Sequence, residues 1–203
     1  MEETRRERKK RQTKELLVAT ALRLFAEQGY EETTVAQIAS VADVATKTFF
    51  NYFPSKEDVL FAEIDGYMDV VADVVAARQP SDTVADVLLR TCEQVIVHYL
   101  TASPTADDDE LAEVYERLVV TVPAVRAKAL HRMFDMQRTI AHTLLEAFPG
   151  RLDPVSAAAA TGALVGAVQG AGMAVREQGL SKEGATEAVA RSAEIVMRGL
   201  RAL

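Results

Sequence analysis

The sequence predicts an all-α protein, and three observations support that prediction. Apolar residues recur three and four positions apart, the spacing that places side chains on one face of a helix. Helix-favouring types such as Ala, Leu, Glu and Arg are abundant, and the chain has only six Pro and ten Gly among 203 residues. The Pro residues stand mainly between the periodic segments, where they end helices.

The first predicted helix covers residues 13–28. Its apolar stripe is formed by Leu17, Ala21, Leu24 and Phe25. Gly29 follows directly, at the position where helix C-termini favour a residue that adopts positive φ.

Two short helices are predicted next. Thr34 and Gln37 have the spacing of a capping box, so the first short helix begins at Thr34 and ends near Val41. After a tight turn, a second short helix precedes Phe53. This arrangement is typical of a helix-turn-helix, whose second helix can enter the major groove of DNA.

The rest of the chain predicts longer helices. We expect them over residues 57–78, 83–102, 108–121, 124–148, 154–178 and 182–201. Ser55 and Asp58 predict a capped start for the first of these helices, which would act as a rigid connector.

Charge is distributed unevenly along the chain. Residues 1–56 carry ten Lys and Arg against eight Asp and Glu, whereas residues 57–203 carry 13 against 22, which together give the net charge of −7. A mildly basic N-terminal segment on an acidic remainder is compatible with a DNA-contacting part.

The sequence shows no signals for export, disulfide bonding, catalysis or metal binding. The N-terminus shows no secretory leader, and Cys92 is the single cysteine, so we expect a cytoplasmic protein without a disulfide. Phosphate-binding loops, nucleophile elbows and paired metal ligands are also missing from the sequence, which argues against an enzyme and indicates no cofactor or metal.

The N-terminal quarter of the chain resembles the DNA-binding part of the TetR family of transcriptional regulators. The residues that carry the resemblance are Phe25, Gly29, Tyr30, Thr34, Val35, Ile38, Ala39, Ala42, Asp43, Val44, the run 48–57 and Leu60. The resemblance implies an all-α fold with an N-terminal three-helix helix-turn-helix DNA-binding domain, residues 1–56. A C-terminal helical ligand-binding and dimerisation domain, residues 57–203, would follow.

The same resemblance implies which residues face DNA. They are Thr34, Thr46, Lys47, Thr48, Asn51, Tyr52 and Lys56. Thr34 and Lys56 would hold phosphates, and Lys47 and Thr48 would meet base edges. For the basic run 5–11, a DNA contact and a solvated tail are both open interpretations.

At three positions the sequence departs from the family pattern. Asp43 stands where Gly is usual, in a turn that Asp tolerates well among non-Gly residues. Ala45 replaces a common Ser or Thr cap, and Phe50 replaces a Tyr whose hydroxyl would bind phosphate.

The C-terminal domain is expected to bind a small-molecule inducer and to form a homodimer on a pseudo-palindromic operator. The candidate ligand-binding residues are Tyr99, Tyr115, Met133, Phe134 and Gln137. By resemblance, the helices 154–178 and 182–201 form the dimer interface, and small residues recur every four positions along the first of them, Ala158, Gly162, Gly166 and Gly170.

Two alternatives concern the whole chain. Residues 154–175 form an uncharged stretch of 22 residues, long enough to span a bilayer, but its Ala and Gly content favours a soluble helix, so no membrane partner is predicted. The alternative function is a helical interaction or adaptor protein without operator-specific DNA binding, against which Lys47, Lys56 and the basic run argue.

Overall fold

A computed structural model describes residues 4–62, 64–102, 108–179 and 182–200. Throughout these ranges the ordered elements are helices, which confirms the predicted all-α class. They are α1 Arg5–Gln28, α2 Val35–Val41, α3 Thr46–Phe50, the 3₁₀ helix Glu57–Phe61, α4 Ile64–Ala76, α5 Val84–Ala102, α6 Asp109–Thr121, α7 Pro123–Ala147, α8 Pro154–Gln178 and α9 Lys182–Leu200.

Helix α1 begins two turns earlier than the sequence predicted. Thr4 caps it in a capping box: its hydroxyl accepts from the Glu7 N–H at 3.2 Å, and the Glu7 carboxylate accepts from the Thr4 N–H at 2.8 Å. The predicted start at residue 13 is therefore wrong, because polar residues with good helix propensity extend the helix beyond its buried stripe. The basic run 5–11 lies on exposed helical turns.

The helix-turn-helix is confirmed as two short helices on a buried apolar scaffold. Ile38 and Phe49 are fully buried, and Ala39, 1% exposed, is small enough for the helices to cross closely. In the turn between them Asp43 adopts a φ of 53°, the left-handed conformation expected where the family has Gly. The following Val44 N–H returns to the Ala39 carbonyl at 2.9 Å and closes the turn.

The predicted single helix over residues 57–78 is wrong. The structure has the 3₁₀ helix Glu57–Phe61 and then the separate helix α4. Ser55 does not cap the 3₁₀ helix: its hydroxyl donates to the Asp58 carboxylate at 2.7 Å, and Lys56 is the capping residue, without a side-chain cap bond. Apolar periodicity continues through this segment, so the sequence pattern could not reveal the break.

The chain divides into two compact units. The first contains Met1–Ile64 together with Ala102–Arg132, and the second contains Asp65–Thr101 together with Met133–Leu203. The first unit is thus larger than the segment 1–56 that the sequence assigned to DNA binding. Its additional core residues, contributed by α6 and the start of α7, are Leu111, Val114, Leu118 and Val125.

The second unit has a core of its own. Its buried residues include Val71, Leu88, Leu144, Ala160, Leu164 and Met197, contributed by α4, α5, α7, α8 and α9. Within this unit α8 and α9 pack along one another. The predicted bounds of these two helices agree with the structure to within one residue.

Replacing the uncapped residue before α3 should stabilise the protein. Ala45 offers no side-chain acceptor to the first N–H groups of α3. We expect Ala45→Ser to raise the free energy of unfolding by about 1 kcal/mol, because a serine hydroxyl satisfies one of these donors. Urea titration of the variant and the wild type would measure it.

A matched Ser at an exposed position inside a helix serves as the control. Ala127→Ser in α7 should lower the unfolding free energy by up to about 0.5 kcal/mol, since Ser has the weaker helix propensity. Equal effects of the two substitutions would contradict the capping argument.

Candidate nucleic-acid interface

The start of α2 is fixed by a complete capping box. The Thr34 hydroxyl accepts from the Gln37 N–H at 3.2 Å, and the Gln37 side-chain oxygen accepts from the Thr34 N–H at 2.8 Å. Both side chains are exposed. The predicted cap is confirmed, and it sets Thr34 at the surface of the first unit.

Helix α3 presents polar side chains from a rigid base. Thr46, Lys47 and Asn51 are exposed, with Lys47 and Asn51 one helical turn apart on the same face. The base is Phe49, which is fully buried and packs against Phe53 with ring centroids 5.5 Å apart. The short helix therefore has little freedom to rotate, and its exposed face is fixed.

Two more of the candidate DNA-facing residues are half-buried, and Phe50, which replaces the Tyr of the family, is exposed. Thr48 and Tyr52 are each partly covered, and the Tyr52 ring lies 6.3 Å from that of Phe53. Phe50, at the position where the family has Tyr, is 51% exposed beside these residues. Its ring edge meets Phe49 at a centroid distance of 5.7 Å.

Lys56 has a structural role that the sequence did not reveal. Its ammonium donates to the Tyr30 carbonyl at 2.7 Å and to the Thr33 carbonyl at 3.0 Å, and it lies 3.9 Å from the centre of the Tyr30 ring. The side chain therefore ties the residues after α3 to the loop between α1 and α2. Two of the three N–H donors of this ammonium are therefore used within the protein.

The neighbouring Glu57 binds the same loop. The Tyr30 hydroxyl donates to the Glu57 carboxylate in a short hydrogen bond. Burial, followed by this hydrogen bond, raises the pKa of Tyr30, which keeps the phenol protonated and able to donate. Burial would raise the pKa of Glu57, but the bonds from Tyr30 and Ser55 outweigh it and lower that pKa.

Asp58 is the buried charge of the first unit. Its side chain is 1% exposed and binds two cations from α7, Lys128 at 2.8 Å and Arg132 at 2.7 Å. Burial alone would raise its pKa, but the bonds from Lys128, Ser55 and Arg132 lower it. The three consecutive residues 56–58 therefore bond in two directions, to the α1–α2 loop and to α7.

The five predicted ligand-binding residues do not fall in one unit. Tyr115 belongs to the first unit, where its ring meets Phe61 edge-on at 6.5 Å. Met133, Phe134 and Gln137 belong to the second. The side chain of Tyr99 lies outside the described residues.

Within the second unit these α7 side chains have different environments. Phe134 is 62% exposed, whereas Met133 and Gln137 are half-buried. The Met133 sulfur accepts a hydrogen bond from the side-chain amide of Gln169 in α8. A groove of about 300 Å³ in this unit lies elsewhere, lined by α8 and α9 residues such as Gly170, Ala174, Arg191 and Ile195.

The predicted dimer helices expose an apolar surface rich in small residues. Val155 is 77% exposed, Met173 58% and Ile195 63%. A Cβ atom built on Gly166 would meet no atom within 4 Å, so packing inside this chain does not require glycine there. By length and composition alone, Pro154–Val175 is apolar enough to cross a membrane, and about a fifth of it is buried.

Comparison with known proteins agrees with this arrangement. Residues 17–62 match the family described as bacterial regulatory proteins, tetR family. The matched segment contains α2, α3, the 3₁₀ helix and all seven candidate DNA-facing residues.

Similarity to individual proteins extends beyond that segment. The regulator TcmR of Streptomyces glaucescens is 31% identical over 139 residues, which are 68% of this chain and 62% of TcmR. The chain spans less than two thirds of the length of the curated relatives that it matches.

Solved structures share the fold over nearly the whole chain. A TetR-family regulator from Syntrophomonas wolfei superposes with a TM-score of 0.60 at 18% identity, covering 95% of this chain and 97% of its own. Thermus thermophilus FadR, solved in complex with lauroyl-CoA, gives 0.53 at 22% identity, covering 92% and 94%.

The buried carboxylate predicts a pH-dependent contribution to stability. Because the folded pKa of Asp58 lies below its unfolded value, its contribution is complete above that value, near 3.8, and is lost as the pH falls below it. At neutral pH, we expect Asp58→Asn to lower the unfolding free energy by about 2 kcal/mol, since its two cations lose their partner but remain partly solvated.

Urea unfolding at pH 7 and at a series of values below 4 would measure this effect. The gap between wild type and Asp58→Asn should narrow with falling pH, whereas Asp135→Asn, in an exposed pair with Arg138, should change stability by less than about 1 kcal/mol. Parallel pH curves for wild type and Asp58→Asn would contradict the assignment.

Proposed function

Because the chain belongs to the tetR family of bacterial regulatory proteins, we propose that it is a DNA-binding transcriptional regulator that acts as a repressor. It binds a pseudo-palindromic operator as a homodimer in the cytoplasm, and a small-molecule inducer releases it. The observation that carries the proposal is the exposed polar face of α3 on a fully buried aromatic base.

Contacts to base edges are assigned to the first turn of α3 and to Asn51 at its C-terminal end. Lys47 is exposed and can donate to the guanine acceptors of the major groove. The Thr48 methyl group suits a thymine methyl, and Asn51, one turn beyond Lys47, suits adenine. A good bidentate hydrogen-bonded contact to a base discriminates against a wrong base by about 1–3 kcal/mol.

Phosphate contacts surround this face. Thr34, Thr46, Tyr52 and the third donor of Lys56 position the protein on the backbone without reading sequence. The exposed basic residues of α1 add charge for further phosphate contacts. Such contacts make the affinity fall steeply with salt concentration.

Dimerisation is assigned to α8 and α9. Gly166 is supported as an interface residue because its own chain leaves the space above it open. The exposed Val155, Met173 and Ile195 supply apolar area that a second copy would cover. A two-fold symmetric pair presents two α3 helices to two half-sites.

Ligand response is assigned to the second unit and the middle helices. Tyr99, Met133, Phe134 and Gln137 are the candidate contacts in the second unit, and Tyr115 is a separate candidate in the first. An inducer acts only if it binds the DNA-releasing state more tightly than the DNA-bound state. A compound that both raises the unfolding temperature and releases bound DNA would identify the ligand class.

Selection from random DNA tests the proposal. Rounds of binding to duplexes with a randomised core should yield a pseudo-palindromic consensus, called here the selected duplex. Lys47→Ala should weaken binding to the selected duplex by about tenfold or more and relax the preference at one base pair per half-site, because it removes a base contact. Fluorescence anisotropy would measure both effects.

Arg138→Ala serves as the control, because that side chain is exposed and lies in the second unit. It should bind the selected duplex with wild-type affinity. If the wild type enriches no consensus and binds every duplex equally, operator binding is refuted and the adaptor alternative is favoured.

The dimer assignment predicts a change in mass. Gly166→Leu should convert a dimer into a monomer of 22.1 kDa, because the side chain holds the two surfaces apart while its own chain has room for it. Sedimentation velocity would show the change. Ala127→Leu, at an exposed position in α7, should leave the dimer intact; a dimeric Gly166→Leu protein would refute the α8 contact.

A further inference from the structure

Three consecutive residues join α7 to the candidate DNA-binding surface. Lys56 and Glu57 bond to the loop between α1 and α2, and Asp58 bonds to Lys128 and Arg132 of α7. All of these groups lie in the first unit.

We propose that Lys128 and Arg132 are positioning residues for DNA binding: by holding Asp58 they fix the adjacent Lys56, whose third donor contacts a phosphate. This inference rests on the proposed function. It also places the start of α7 within the DNA-binding machinery.

The clamp on Asp58 is strong for a physical reason. A buried carboxylate without partners is strongly unfavourable, so this side chain follows its cations. Lys128 and Arg132 are four residues apart and therefore share one face of α7. The carboxylate consequently fixes one face of that helix against the residues that follow α3.

The position of Lys56 depends on the loop between α1 and α2 and on the neighbouring Asp58. Two of its three donors are used by the Tyr30 and Thr33 carbonyls, at 2.7 and 3.0 Å. The direction of the remaining donor therefore depends on where the backbone of residues 56–58 lies relative to that loop. If the clamp on Asp58 is released, this backbone keeps the bonds of Lys56 and Glu57 and the packing of the buried Val59, but it loses its link to α7.

The loop between α1 and α2, to which Lys56 and Glu57 bond, is itself held in place by buried residues. Tyr30 is 6% exposed and donates to Glu57, so the loop is anchored in the core of the unit. Thr33, 1% exposed, donates its hydroxyl to the Gly29 carbonyl at 2.8 Å. The three-residue segment therefore lies between the anchored loop and α7 and bonds to both.

The salt dependence of DNA binding distinguishes positioning from a merely structural role. Removing one phosphate contact from each half of a dimer reduces the slope of log K against log salt by about 1.8, from about 0.9 per contact. A residue that only stabilises the fold leaves this slope unchanged at temperatures where the variant is folded.

The experiment compares charge-removing and charge-retaining variants on the selected duplex. Arg132→Met and Lys128→Met, tested separately so that each leaves one cation on Asp58, should reduce the slope as Lys56→Met does. Their affinity deficit relative to wild type should then shrink by about tenfold between 50 and 200 mM salt. Arg132→Lys should restore the slope, and Arg138→Met, in an exposed pair on the same helix, should not alter it.

A double variant completes the test. Lys56→Met combined with Arg132→Met should show the slope of Lys56→Met alone, because both act on one phosphate contact. Circular dichroism at the binding temperature verifies that each variant is folded. If one charge-removing variant does not fold, the other carries the test.

Two outcomes overturn the inference in different ways. Unchanged slopes in the charge-removing variants, with only a lower unfolding temperature, would show that the clamp is purely structural while operator binding stands. Failure of the wild type to enrich any duplex would refute the proposed function, and this inference with it.

Discussion

The first unit depends on one buried negative charge. The Asp58 carboxylate is almost entirely removed from water, so the fold must supply cations, and it supplies both from one face of α7. These ion pairs link a helix from the middle of the chain to the residues that follow α3. The buried Leu111, Val114, Leu118 and Val125 join the same segment, Ala102–Arg132, to the core of the unit.

The helix-turn-helix itself relies on apolar burial more than on helix length. α3 has five residues and no side-chain cap, so it would not persist in isolation. The buried Phe49 side chain anchors α3, and the buried Ile38 and Ala39 side chains anchor the neighbouring α2. Because packing fixes the helix, its exposed polar side chains keep a constant arrangement, which recognition of base edges requires.

The second unit exposes apolar side chains along α8. α8 combines exposed Val155 and Met173 with glycines whose space is empty within the chain. Helix α7 runs from Pro123 to Ala147 and is the helix that passes from the first unit into the second at Arg132.

The sequence by itself determined the helical class, the helix-turn-helix and the cap at Thr34, because these depend on spacings within a few residues. It also indicated the positive φ of Asp43 through the residue that the family has there. The early start of α1 is also local, since it depends on the Thr4–Glu7 capping box. Only the tertiary structure decided that Lys56 bonds to the Tyr30 carbonyl and that Asp58 pairs with cations of α7. These contacts join residues 26 to 74 positions apart, and local patterns carry no information about which distant partner a charge will meet.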